Sequence, residues 1–215
     1  MSRHRDNAFQ QIYRLLDQAY GPQHWWPARS RFEVMVGAIL TQNTAWTNVE
    51  RAITNLKKAR CLHAEALLEL RDKQLAHHLR PSGYFNIKTR RVKSFCRWYL
   101  ESGQYRRLKN LHTDALRNEL LSVNGIGPET ADDILLYAFE RPVFVIDAYT
   151  RRLLARFGWA KGDEHYETLR AAFETALDPD TALFNEYHAL IVRHAKEKCS
   201  GKSDCRHCYI EKSHN

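Results

Sequence analysis

A carboxylate placed after a glycine-containing turn is the arrangement in this sequence with the clearest chemical use. The run Val123-Asn124-Gly125-Ile126-Gly127 separates two amphipathic helical patterns, and Asp147 follows twenty residues past Gly127, between an apolar stretch and another helix. Gly125 and Gly127 carry no side chain and can take positive φ, so their amides can approach a phosphate closely. Pro128 suits the first position of a following helix, whose free amides and dipole also favour an anion. The pattern describes a docking point for a phosphodiester backbone, with one acid held at a fixed distance from it. Asp147 has a second reading, as an N-cap accepting a bond from a first-turn amide. A glycine turn between helices likewise serves as an ordinary C-cap.

Helices must position these groups. Apolar residues recur at intervals of three and four in Phe9–Tyr20, Phe32–Leu40, Thr47–Ala59, Ala64–Glu69, Asp72–Leu79 and Ile87–Ser102. The same period returns in Asp114–Ser122, Glu129–Phe139, Ala148–Phe157, His165–Ala176 and Asp180–Glu197. Asp114 and Asn86 are the expected caps of their helices. Pro142–Ile146 (PVFVI) has strand-like composition but no candidate partner, so it is expected as a buried extended segment leading into Asp147. The fold class is all-α.

With 215 residues, the chain can bury one large core or two modest ones. Its formal charge of +8, with basic runs at RRVK and YRRLK, points to a polyanionic partner. The polar start MSRHRDNAFQ does not resemble a signal peptide, and no apolar run approaches the ~20 residues of a spanning helix. Five unevenly placed cysteines do not form a secreted disulfide framework; Cys61 and Cys96, inside helical patterns, read as small buried hydrophobes. The expected compartment is the cytoplasm, at the nucleoid in a bacterium.

Five segments, in order, resemble the endonuclease III superfamily of DNA glycosylases. They are RFEVMVGAILTQNT (residues 31–44), PSGYFNIKTRRV (81–92), GIGPETA (125–131), VIDAYTRR (145–152) and NEYHALIVRHAKEKC (185–199). GIGPETA looks like the turn of a helix-hairpin-helix, and VIDAYTRR like the loop with the catalytic aspartate. The resemblance implies a two-domain helical glycosylase fold. A helical barrel would span residues 31–134, with the helix-hairpin-helix near 114–139. Residues 1–30 and 135–215 would form a second helical domain from both chain ends, with a Cys-rich tail at 199–214. DNA would cross the cleft between the domains, with Asp147 at its mouth.

The resemblance also implies residue roles. Asp147 would stabilise the oxocarbenium-like sugar as a flipped-out base departs, and orient or deprotonate a water. Bifunctional relatives carry a lysine in the second helix of the hairpin, where this chain has Glu129, and a carboxylate cannot form a Schiff base. Trp25, Trp26 and Trp46, in WWP and TQNTAW, resemble the aromatic pocket of the 3-methyladenine DNA glycosylase branch. An indole face attracts a cationic alkylated purine by ~1–2 kcal/mol; core packing is the other reading of these tryptophans. Gln42 resembles the residue that fills the gap left by the flipped base. Gly83, Asn86, Lys88, Gly125, Gly127 and Thr130 complete the expected DNA contacts.

Cys199, Cys205 and Cys208 fall at Cys-x5-Cys-x2-Cys, and His214 follows after five intervening residues. The superfamily's iron–sulfur loop is Cys-x6-Cys-x2-Cys-x5-Cys, so one gap is short and the last ligand is changed. A [4Fe–4S] cluster, a Cys3His zinc site, or no metal are the three readings.

The function expected is a monofunctional DNA glycosylase of base excision repair, removing alkylated purines from double-stranded DNA as a monomer. The alternatives are a non-catalytic helix-hairpin-helix DNA-binding protein and a bifunctional glycosylase/lyase acting on oxidised or mismatched bases.

Overall fold

The structure, a computed structural model, describes residues 3–23, 25–26, 28–161 and 163–199, with side chains from residue 8 onward. Among these residues the regular structure is helical, with no strand. No helix is long and apolar enough to cross a membrane among the described residues. The chain divides into two compact units, one of residues 28–141 and the other from the segments before and after it. The boundary expected at residue 134 would cut a helix that continues to Phe139; the division falls later, between Arg141 and Pro142.

The middle unit is built around two helices, α2 (Arg31–Leu40) and α9 (Pro128–Phe139), which pack on each other. Ser30 caps α2 by accepting from the Glu33 amide at 3.2 Å. Every residue from Glu33 to Leu40 is buried, as expected of a helix that is apolar nearly all round. Pro128 opens α9, and Glu140, in the left-handed region at φ 54°, ends it. Around this pair lie α3 (Trp46–Lys58), α4 (Ala64–Glu69), α5 (Asp72–Leu79), a 3-10 turn (Arg80–Ser82) and α6 (Phe85–Glu101). They are completed by α7 (Gln104–Leu108) and α8 (Thr113–Leu121). Arg117 of α8 makes a two-pronged ion pair, at 2.6 and 3.1 Å, with Asp132 of α9, whose side chain is fully buried. That pair ties together the two helices on either side of the glycine turn.

Both expected caps are corrected. Helix α8 starts at Thr113, so Asp114 lies in its first turn and the cap position belongs to His112. Helix α6 starts at Phe85, behind Gly83 and Tyr84 at φ 65° and 45°, which leaves Asn86 exposed inside its first turn. The positive-φ pair turns the chain earlier than a side-chain cap at Asn86 would.

The second unit packs α12 (Thr181–Lys198) against α1 (Arg3–Tyr20) and α10 (Ala148–Arg156), and α1 against α11 (Tyr166–Ala176). Residues 143–146 are buried, as expected, and lie outside any helix or strand. Phe144 stacks on Phe173 at 3.9 Å and meets Phe184 and Tyr187 edge-on. Its amide donates to the Glu174 carboxylate at 2.9 Å and that of Ile146 to the Tyr166 hydroxyl at 3.4 Å, so side chains satisfy these two amides in place of a partner strand.

Candidate active site and DNA interface

The aromatic packing of residues 143–146 delivers Asp147 to the start of α10. There it is the N-cap: Oδ1 accepts from the Thr150 amide at 2.7 Å. The side chain is 15% exposed, and Oδ2 lies 3.5 Å from Nε2 of His188 on α12. Burial raises the Asp147 pKa, but His188 and the Thr150 amide outweigh it, so the net shift is downward. The residue is an ionised acid at a helix N-terminus, and the cap geometry is how its carboxylate is oriented. Cap and functional carboxylate are compatible here.

Lys196 of α12 sets its ammonium 5.8 Å from the Trp25 ring centroid and 5.3 Å from that of Tyr149, and it senses the Asp147 charge. Trp26 packs edge-on against Trp25 at 6.4 Å. Trp25 and Trp26 belong to this unit, and Trp46, the first residue of α3, to the other.

In the middle unit, three separate sequence segments meet at the glycine turn. Gln42, in the turn after α2, donates through Nε2 to the Gly125 carbonyl and to the Thr130 hydroxyl, both at 2.9 Å. Its Oε1 accepts from Arg91 of α6. Both amide donors of Gln42 are thus occupied by the protein itself, and filling a gap in DNA would require their release. Gly125 sits at φ 91° with Arg91 lying across it. Gly127 is extended at φ −96° and has open space around it. Thr130 is only 4% exposed, so its hydroxyl serves Gln42 and not the surface.

Lys88 is a correction. Expected as a contact to the DNA backbone, it is 1% exposed. Its ammonium donates to the Leu40 carbonyl (2.9 Å), the Thr44 hydroxyl (2.5 Å) and the Ser82 carbonyl (2.6 Å). Three donors meet three acceptors. Burial, helped by the Arg91 charge, lowers its pKa to about 8. Lys88 therefore pins the Gln42 turn to the 3-10 turn from beneath. Above it, Tyr84 at 67% and Ile87 at 40% are exposed apolar side chains beside Gly83. Composition did not single them out, although an aromatic directly after a glycine at a helix start was the available signal.

Glu129 is exposed in the first turn of α9, where a carboxylate complements the helix dipole. Cys61 and Cys96 are buried free thiols, as expected; burial drives Cys96 up to about 12. Cys199 is buried at the C-terminal cap of α12. Cys205, Cys208 and His214 lie outside the described residues. His188 and Arg91 are the site residues the sequence reading missed. His188 falls on the buried stripe of α12 with Phe184, Tyr187 and Ile191, and an imidazole there was the signal.

The sequence is 44% identical to a protein of Methanocaldococcus jannaschii provisionally named a DNA repair glycosylase, covering 96% of this chain and 97% of that one. It is 26% identical to endonuclease III of Thermotoga maritima, over 84% of this chain and 80% of that one. The fold matches an H. pylori 3-methyladenine DNA glycosylase solved with 1,N6-ethenoadenine, at TM-score 0.76 and 28% identity, over 88% of this chain and 97% of that one. It also matches endonuclease III from a non-covalent DNA complex, at TM-score 0.80 and 16% identity, over 99% and 94% of the two chains; that likeness concerns the fold alone. Residues 36–179, from the middle of α2 through α11, match one family across both the glycine turn and Asp147, and the chain belongs to the HhH-GPD superfamily of base excision DNA repair proteins.

Proposed function

We propose that the chain is a monofunctional DNA glycosylase that hydrolyses alkylated purines from double-stranded DNA. Its family makes it a DNA glycosylase of base excision repair. The observation that carries the finer reading is Asp147, an ionised and largely buried carboxylate fixed at the N-cap of α10. As the N-glycosidic bond breaks, the sugar gains positive charge, and a preoriented carboxylate in low dielectric stabilises it. The same group can take a proton from the attacking water. Glu129, where bifunctional relatives carry lysine, supplies no amine for a Schiff base. The 28% identity to a 3-methyladenine DNA glycosylase and the indoles of Trp25, Trp26 and Trp46 support alkylated purines as substrates.

We also propose that the tail residues Cys199, Cys205, Cys208 and His214 hold a [4Fe–4S] cluster. Its support is three cysteines and a histidine in the order of the superfamily's loop, with one gap a residue short and histidine in place of the last cysteine, and Cys199 at the end of α12. No step of base release is assigned to it.

Base release from a panel of lesion oligonucleotides tests the enzyme reading, with wild type beside Asp147→Asn. The variant should lose release of alkylated purines while still binding abasic DNA; near wild-type turnover in Asp147→Asn would end the assignment. Borohydride should trap no covalent adduct with wild type, and an adduct would show a lyase.

A further inference from the structure

Asp147 uses one oxygen as a helix cap, and the other faces an imidazole that the chemistry above leaves unused. His188 is 5% exposed, and its Nε2 stands 3.5 Å from Asp147 Oδ2. That distance is long for a hydrogen bond but short for an ionic contact, so the interaction depends strongly on the charge of the ring. We propose that His188 is the positioning residue of Asp147, holding the carboxylate ionised and its Oδ2 oriented so that its charge is available to the sugar. This rests on Asp147 as the catalytic carboxylate.

The physical argument has two sides. A carboxylate this buried is driven toward its neutral acid unless partners offset the desolvation; His188 leads those partners, and the Thr150 amide follows. A neutral ring with its proton on Nε2 orients Oδ2 and leaves the negative charge whole. An imidazolium pairs with it and cancels part of the field that stabilises an oxocarbenium. The other groups near Asp147 are Lys196 of α12, Tyr149 of α10 beside that lysine, and the Tyr166 hydroxyl of α11, at 3.4 Å from the Ile146 amide. On α1, Tyr13 meets Tyr187 and Tyr20 meets His194, the neighbours of His188 along α12.

The test is single-turnover base release from alkylated DNA between pH 5 and 9, for wild type, His188→Gln, His188→Leu and Asp147→Asn. Wild type should hold its rate across this range, because Asp147 is kept ionised below the usual carboxylate range. His188→Gln, a neutral donor that can still orient Oδ2, should keep a near wild-type rate at pH 7. In His188→Leu an acid limb should appear as Asp147 itself takes a proton at higher pH, with about tenfold lost at low pH per unit of movement and recovery by pH 9. A uniform rate loss at every pH in His188→Leu, or a His188→Gln rate as low as that of His188→Leu, would reduce His188 to packing. If His188→Leu does not fold, the His188→Gln profile decides. An active Asp147→Asn would overturn the underlying reading instead, which separates the two failures.

Discussion

Arg91 occupies the space in which a side chain on Gly125 would stand: a Cβ there would come within 2.3 Å of the arginine Cγ and 2.8 Å of its Cδ. The glycine is needed for two reasons, its φ of 91° and the arginine laid over it.

Gly125→Ala should therefore cost about 1–3 kcal/mol of stability through backbone strain and displaced Arg91. Gly127→Val should leave the melting temperature close to wild type, because the backbone there is extended and open. Its binding to undamaged and damaged duplex should fall together, since contacts to phosphate carry no lesion information. Thermal melts and duplex titrations of both variants check this; unchanged affinity in a folded Gly127→Val would remove the turn from the interface.

Lys88→Met should destabilise the middle unit by roughly 3 kcal/mol, because it strips the donor from three acceptors under the Gln42 turn. Denaturant titration reads the loss. A variant of wild-type stability would mean that water replaces the ammonium at no cost.

Asp132→Ala should be more severe, at about 3–5 kcal/mol, since it leaves the Arg117 guanidinium largely buried without its carboxylate. Replacing both, as Arg117→Met with Asp132→Leu, should recover part of the loss. Equal damage in single and double variants would show that the pair itself, and not the stranded charge, sets the cost.

His194 has no exposed surface, lies 3.0 Å from the Tyr20 hydroxyl, and has its pKa lowered by burial to about 4. The unfolded chain takes up a proton near pH 6.5 that the folded chain refuses until about pH 4. Stability should hold above pH 6.5 and decline as pH falls through that window, by about 3 kcal/mol at most. His194→Gln should shrink the difference between melts at pH 5 and pH 7.5. An undiminished difference would place the acid sensitivity elsewhere.

Anaerobically purified protein should be brown and contain about four irons per chain if the tail binds a cluster. One zinc per chain without colour selects the tetrahedral site instead. A colourless protein with neither metal removes the cofactor.

Long amphipathic periods were legible in the sequence. The helix beginning near residue 31, the helix after Pro128 and the buried, non-helical PVFVI segment all stand where their patterns put them. Helix α7 was not anticipated, because QYRRL is too short for an apolar period to show. The cap at Asn86 was misplaced because the positive φ of Gly83 and Tyr84 turns the chain before it, and the cap at Asp114 because that helix starts one residue earlier, behind His112 in ordinary extended backbone. Asp147 was readable as a carboxylate at a helix start; its partner His188, forty-one residues away, is brought to it only by the packing of α10 on α12. Lys88 shares the buried stripe of Val92, Phe95 and Tyr99, and that spacing marks it as an interior lysine. A single-residue view treats any lysine as surface charge.

Helix α9 is buried from Thr130 to Leu136 and again at Ala138 and Phe139, and the glycine turn is its leading edge. Buried helices of this kind are among the last parts of a domain to open. The turn is thus mounted on a firm part of the molecule. A phosphate that met it would find the amides already arranged, so little ordering entropy would be lost at contact.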